Sequence, residues 1–372
     1  MKISGLVRLV LVGVALFWLT RSFQATMARA ADTAAEARAA LQRIYEERKD
    51  LQKVFDDSWK VAKSVKTKDL PTLEEWAKQY GYKEYPKDLL YYAPPAAPRV
   101  PPAIAAVPGV PAPVKKKGAA FDWRTVRSQA VFVIDSASHK TLLSRNSKAV
   151  RPIASLTKLM TATLALEKNV DLSAVATINA EDEVGGARLR LDDGTPIKIK
   201  DIFYATLVGS ANNAANALAR CTELSKDDFV TEMNVRAETA GLVSTEFADP
   251  SGIELANVST AEEVTALAVQ AFGNHDIRQA ASTAYYDIVL GDGAVHKLKN
   301  TNQLLLANNG IIVLAGKTGY LDESGWNLVV EAMDARRRPI VVTVLGEPTK
   351  ARAFSDALRI ARWVWKNHAW QK

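Results

Sequence analysis

The chain is poor in cysteine, poor in histidine and without a long hydrophobic run, and each shortage excludes a class of protein. A single cysteine, Cys221, forbids any intrachain disulfide. Its place between Arg220 and Thr222, in an apolar helical stretch, reads as a small core residue rather than a reactive thiol. The four histidines, His139, His275, His296 and His368, fall in no H-x-x-x-H or H-x-x-E-H spacing. A zinc hydrolase is therefore disfavoured, and no metal or cofactor is expected. The net charge of +7 is spread out, and the triplet Lys115-Lys116-Lys117 is short and most simply a solvating spacer. Without a recognition motif beside it, that charge gives no reason to expect nucleic acid as a partner. No internal repeat is visible.

What is present begins with a targeting pattern. Lys2 and Arg8 precede the apolar run Leu9–Leu19, and Ala28-Arg29-Ala30 offers small residues at the two positions an export peptidase reads. At about 11 residues the run is well short of the ~20 that a membrane-spanning helix needs. Residues 1–30 are expected to be a signal peptide, or failing cleavage a membrane anchor, and either places the rest of the chain in the periplasm or cell-wall space. Residues 31–92 carry helical periodicity. Leu41, Ile44, Tyr45, Leu51, Val54, Phe55 and Trp59 return at three- and four-residue steps, and Thr72 with Glu75 forms a capping-box signature for a second short helix. A small helical module is predicted there. Residues 93–120 are crowded with proline from Pro94 to Pro113, which makes a semi-rigid extended spacer and the clearest domain boundary.

The remainder, residues 121–372, alternates strand and helix signals. Gln129–Ser136 and Lys140–Ser144 read as paired strands. A mainly helical middle follows, broken by a predicted hairpin around Asp192-Asp193-Gly194-Thr195. Tyr285–Leu290 and Ala294–Leu298 flank a second hairpin turn at Gly291-Asp292-Gly293. Ile311–Lys317, Asn327–Ala332 and Ile340–Leu345 read as three further strands, and a helix closes the chain from about Lys350 to Trp365. Strands at both ends of one domain with helices between them imply a single sheet assembled from distant segments, an α/β sandwich.

Three short motifs in this domain carry chemistry. In Ser155-Leu156-Thr157-Lys158 one helical turn separates a hydroxyl from an amine, so both share a face at the start of the alanine-rich run that ends at Leu166. A serine hydroxyl becomes a strong nucleophile only when a neighbouring base takes its proton, and a lysine serves as that base only if its pKa falls. Ser210-Ala211-Asn212 sets a hydroxyl and an amide at a bend between two helical stretches. Ser210 is placed to relay a proton to a leaving amine, and Asn212 to hydrogen-bond a substrate backbone. In Lys317-Thr318-Gly319, at the end of an apolar strand, Lys317 and Thr318 can grip a carboxylate while Gly319 admits a substrate backbone. The backbone N–H groups of Ser155 and Tyr320 complete an expected oxyanion pocket. Each motif alone also fits a capped helix or a strand end; their joint order is what argues for a site.

From about Phe121 onward the chain resembles the low-molecular-mass penicillin-binding proteins, the D-alanyl-D-alanine carboxypeptidases and endopeptidases. The resemblance rests on the three motifs and on Pro152-Ile153-Ala154-Ser155-Leu156-Thr157-Lys158-Leu159-Met160, Phe247-Ala248-Asp249-Pro250-Ser251-Gly252 and Asn300-Thr301-Asn302. It implies a β-lactamase/transpeptidase-like fold with a central antiparallel sheet flanked by helices. It also implies peptidoglycan stem peptides as substrates and β-lactams as acylating inhibitors. The roles it implies are Ser155 as nucleophile, Lys158 as general base, Ser210 as proton relay, Asn212 as positioning group and Lys317 as carboxylate anchor. Residues 31–117 are not covered by it.

Two other readings remain at this point. A class A-like β-lactamase would need a glutamate to activate the deacylating water; Glu246 is the candidate, but Glu246-Phe247-Ala248-Asp249 lacks the Leu-Asn of that motif. A non-catalytic wall-binding protein would have no need of Ser155, Lys158, Ser210, Asn212 and Lys317 together. The mild positive charge is compatible with attraction to an anionic wall matrix.

Overall fold

The computed structural model describes residues 107–370; the signal, the helical module and most of the spacer predicted from the sequence lie outside the described residues. The centre of the domain is a five-stranded antiparallel sheet. Its strands are β1 (Ala130–Asp135), β2 (Thr141–Arg145), β3 (Ile312–Leu321), β4 (Gly325–Met333) and β5 (Pro339–Glu347), in the spatial order β3-β4-β5-β1-β2. The register runs Lys317↔Val329 and Thr318↔Leu328 between β3 and β4, then Val342↔Val133 between β5 and β1. The two ends of the domain thus meet in one sheet, as the strand signals imply.

The central strands are apolar on both faces because both are covered. On one face Phe132 and Ile134 of β1, Val341 and Leu345 of β5 and Val329 of β4 pack into a large helical layer. That layer holds α1 (Lys158–Glu167), α2 (Ile199–Leu207), α3 (Asn212–Arg220), α4 (Lys226–Thr239), α5 (Ala261–Gly273) and α6 (His275–Ser282). On the other face Val131 and Val133 alternate with them and meet Leu328, Val330, Ile340, Val342 and Val344 under the closing helix α7 (Lys350–Asn367). Helix α7 starts where Thr349 accepts from the Arg352 N–H. It buries Phe354, Ala357, Ile360, Ala361 and Val364, a stripe at three- and four-residue spacing. Each large apolar side chain in these layers contributes about 1.5–3 kcal/mol by leaving water.

Two local expectations need correction. Asp192–Thr195 is a turn, with Thr195 N donating to Asp192 O, but not the tip of a hairpin. The strand after it, Pro196–Lys198, pairs instead with Val175–Thr177, far back in the chain. Strand β3 also does not stop at Lys317; it continues through Thr318 and Gly319 to Leu321. A lysine ordinarily reads as a strand end because its charge seeks water, whereas here it is buried on the strand's inner side. The hairpin of Tyr285–Val289 with Val295–Lys299 forms as expected.

Candidate active site

Ser155 sits on a single 3-10 turn, Ala154–Thr157, that leads directly into α1 at Lys158. The turn is pinned from two sides. Gly252, itself at φ +77°, lies so close to the Ala154 carbonyl that a Cβ there would fall 2.2 Å from its oxygen. From the sheet, Gly319 brings β3 against the turn: a Cβ at that position would lie 2.7 Å from the Ile153 carbonyl oxygen and 3.1 Å from the Ser155 nitrogen. No residue larger than glycine leaves that room, so the edge strand and the hydroxyl-bearing turn share one wall of a cleft.

Lys158 is fully buried, and its Nζ donates to three acceptors: Ser155 Oγ at 2.9 Å, Asn212 Oδ1 at 2.7 Å and the Ser251 carbonyl at 2.5 Å. Burial pushes its pKa down from 10.5 to about 7, opposed by the negative charge of Asp249. At pH 7 about half of the molecules therefore hold a neutral amine, and in that form the 2.9 Å contact reverses, the Ser155 hydroxyl donating to the nitrogen lone pair. Lys317 is also buried, and its Nζ donates to Ser210 Oγ at 2.7 Å and to the Thr318 carbonyl at 2.8 Å. Burial pushes its pKa well below the ordinary lysine value, and the neighbouring Lys158 pushes in the same direction. Two amines and two hydroxyls from three remote segments therefore converge. Ser210 stands in the bend between α2 and α3 with φ +57°, a conformation held by the packing of those two helices.

Asn212 opens α3, and both ends of its amide have protein partners: Oδ1 takes the Lys158 ammonium, and Nδ2 donates to the Gly185 carbonyl at 2.8 Å. It thus ties the lysine to the loop around Gly185–Ala187, a part of the site that no sequence motif marks. Thr318 Oγ1 donates to Thr301 Oγ1 at 2.6 Å, which draws in the Asn300-Thr301-Asn302 segment. Asp249 is the other contributor without an assigned role in the sequence, although its turn stands out there. Its carboxylate accepts from Ser251 N at 2.6 Å, Gly252 N at 2.8 Å, Glu254 N at 2.8 Å and Asn257 Nδ2 at 2.7 Å. Burial raises its pKa, but the bonds from Ser251, Glu254 and Asn257 outweigh burial and hold it below the usual carboxylate value. The result is a rigid loop that aims the Ser251 carbonyl at Lys158. Glu246, by contrast, is exposed, and its backbone bridges Val258. Burial pushes the Cys221 thiol up, away from a reactive thiolate. Among the described residues no group of three or more His, Cys, Asp or Glu is placed to hold a metal.

A family model described as D-alanyl-D-alanine carboxypeptidase matches residues 115–349. The chain belongs to that family. Membership makes it a serine hydrolase. Relatives in the family include the D-alanyl-D-alanine endopeptidase of Pseudomonas aeruginosa, 34% identical over 64% of this chain and 77% of that protein. The D-alanyl-D-alanine endopeptidase of Escherichia coli is 30% identical over 70% of this chain and 85% of its own length. Among solved structures, the Streptomyces K15 DD-transpeptidase superposes with a TM-score of 0.60 at 26% identity, over 65% of this chain and 98% of that one. The sheet-and-helix sandwich of this family member is the transpeptidase fold that the resemblance implies.

Proposed function

We propose that this chain is an exported D,D-endopeptidase that opens D-alanyl crosslinks between peptidoglycan stem peptides through an acyl-enzyme on Ser155. The observation that carries the chemistry is the buried, neutral-prone Lys158 amine 2.9 Å from the Ser155 hydroxyl. The preference for crosslinks over terminal D-alanine is supported by the endopeptidases among its relatives, which match it at 30–35% identity. Carboxypeptidases such as the Bacillus subtilis and E. coli proteins match it at 26–28%. Export is supported by the pattern of residues 1–30.

In this reading Lys158 takes the Ser155 proton as Oγ attacks the carbonyl carbon of D-alanine, and a tetrahedral oxyanion forms. The Ser155 and Tyr320 N–H groups face that oxyanion; backbone donors fixed in this way cost no reorganisation when charge develops. As the C–N bond breaks, the departing amine receives a proton through Ser210, whose hydroxyl is held by Lys317. Substrate carboxylate, arriving at Lys317 and Thr318, supplies the negative charge that two buried amines lack, and restores the Lys317 ammonium. Water then attacks the ester, with Lys158 again as base, and frees Ser155. A β-lactam enters the same first step, and its ring-opened acyl group stays attached. No helix among the described residues is long and apolar enough to cross a membrane.

The test is mass spectrometry of products from purified crosslinked muropeptide dimers and from uncrosslinked pentapeptide monomers. Dimers should fall to monomers, with Ser155→Ala inactive and unlabelled by fluorescent penicillin. Release of terminal D-alanine alone would refute the endopeptidase preference, and an active Ser155→Ala would refute the mechanism.

A further inference from the structure

The segment from the end of β2 to the start of the nucleophile turn carries Arg145 at one end and Arg151 at the other. Both arginines line an open depression of about 590 Å³, together with Gln129, Asn146 and Lys148. Three cations and no carboxylate line it. Arg145 is positioned from behind: Nη1 donates to the Trp123 carbonyl at 3.3 Å, Nη2 to the Ser128 carbonyl, and its plane lies 4.7 Å from the centre of the Trp123 ring. Its Nε is buried and has no partner. Among the described residues the Arg151 guanidinium has no hydrogen-bond or ion-pair partner at all, and its Nε too is buried.

Burial pushes both arginines below their ordinary pKa, for Arg151 with no opposing charge. The carboxyls of Glu347 and Asp356 act on Arg145 and partly oppose burial there, but none acts on Arg151. Glu347 is hydrogen-bonded to Ser128, and burial, together with the adjacent Asp356, pushes it up to about 7. Glu262, on the far side of Ser147, accepts that serine's hydroxyl at 2.7 Å. A half-buried guanidinium without a counter-charge costs folding free energy, and a stem packed on apolar surface would place its head in water rather than bury its Nε. Sites that bind ligands are where such costs are retained.

We propose that this depression is an oxyanion-binding site, taking a carboxylate or phosphate group on the Arg151 fork with Arg145 and Lys148 beside it. Guanidinium presents parallel donors that match both groups, which an ammonium does not. Arg151 stands four positions before Ser155, so at full extension the two Cα atoms are at most about 14 Å apart. That separation is within the span of a polymer held at Ser155. If the reading of peptidoglycan as substrate is right, a stem-peptide carboxylate is one source of the anion; a phosphate-bearing polymer or lipid headgroup is the other.

The test uses the full chain with its cleft blocked by penicillin, so that only a second site is read. Calorimetric titrations are run with inorganic phosphate, with a stem tetrapeptide and with the same peptide fully amidated. Phosphate or the acidic peptide should bind the wild-type protein, and Arg151→Gln should weaken that binding at least tenfold. Binding of the acidic but not the amidated peptide identifies the wall carboxylate as the source; binding of phosphate alone identifies the other. No binding of either anion, or equal binding by Arg151→Gln, overturns the proposal. Arg151→Met supplies a second measurement. A ligand-binding arginine without a protein partner should be replaceable at unchanged or higher Tm, whereas a fall of more than about 3 °C would mean a structural role and overturn the assignment. Acylation by penicillin, read in the same samples, reports separately on the Ser155 mechanism.

Discussion

If Lys158 is the base, acylation must follow its deprotonation. Burial sets that pKa at about 7 rather than 10.5. About half of the molecules then hold a free amine at pH 7, whereas an ordinary lysine would be free in only ~0.03%. The fold thus raises the population of competent base ~1,000-fold, a differential of about 5 kcal/mol between the two protonation states. Single-turnover acylation by a fluorescent penicillin, followed by stopped flow from pH 5 to 9, keeps deacylation out of the measurement. The rate constant should climb about tenfold per pH unit below 7 and level off above it. Asp249 supplies the charge that opposes the shift, so Asp249→Asn should move the rising limb to lower pH. The same shift has a consequence for stability. Between about pH 7 and 10.5 the unfolded chain binds the proton that the folded one has released, so this group's contribution rises with pH across that window and is smallest below 7. A rate flat from pH 5 to 9, or a limb centred above pH 9, would mean that no base with a pKa near 7 controls acylation, and the argument from burial would fail.

Three other substitutions probe the architecture. Asn212→Asp puts a carboxylate where the amide oxygen now stands 2.7 Å from Lys158 Nζ; the limb should move to higher pH, opposite in sign to Asp249→Asn, with acylation at pH 7 reduced at least tenfold. Gly319→Ala must push β3 off the Ile153 carbonyl and the Ser155 amide, and acylation should drop ~100-fold because misplacement of about 1 Å at a reacting group has that effect. Ile360→Ala, beneath the sheet on α7, should lower stability by about 2–5 kcal/mol in chemical denaturation while leaving acylation at 25 °C unchanged.

The parts of this molecule that were legible in its sequence are those governed by one local rule. Strands β1 and β5 read as continuous apolar runs because both of their faces are covered, and α7 read as a helix because only one of its faces is. Ser155 and Lys158 could be paired from spacing alone, since a single turn of chain separates them. What local rules miss is burial of charge. Lys317 reads as the end of a strand because nothing near it in sequence predicts that Ser210, 107 positions away, accepts from its amine. The hairpin expected at Asp192–Thr195 rested on turn residues, and turn residues do not reveal that the pairing partner is Val175–Thr177. Asp249 and the Gly185 carbonyl act through contacts with distant residues, which a linear reading has no means to weigh.

The backbone of Ala154 is left-handed, at φ +50°, one residue before the nucleophile. Alanine resists that conformation, and neighbours such as Gly252 must hold it there against a local cost of roughly 1–3 kcal/mol. A search for hardier variants of this enzyme would therefore be drawn to Ala154→Gly, which relaxes the strain. The gain in heat tolerance would come from loosening the hinge that points the hydroxyl, so selection for endurance and selection for turnover pull on this one methyl group in opposite directions.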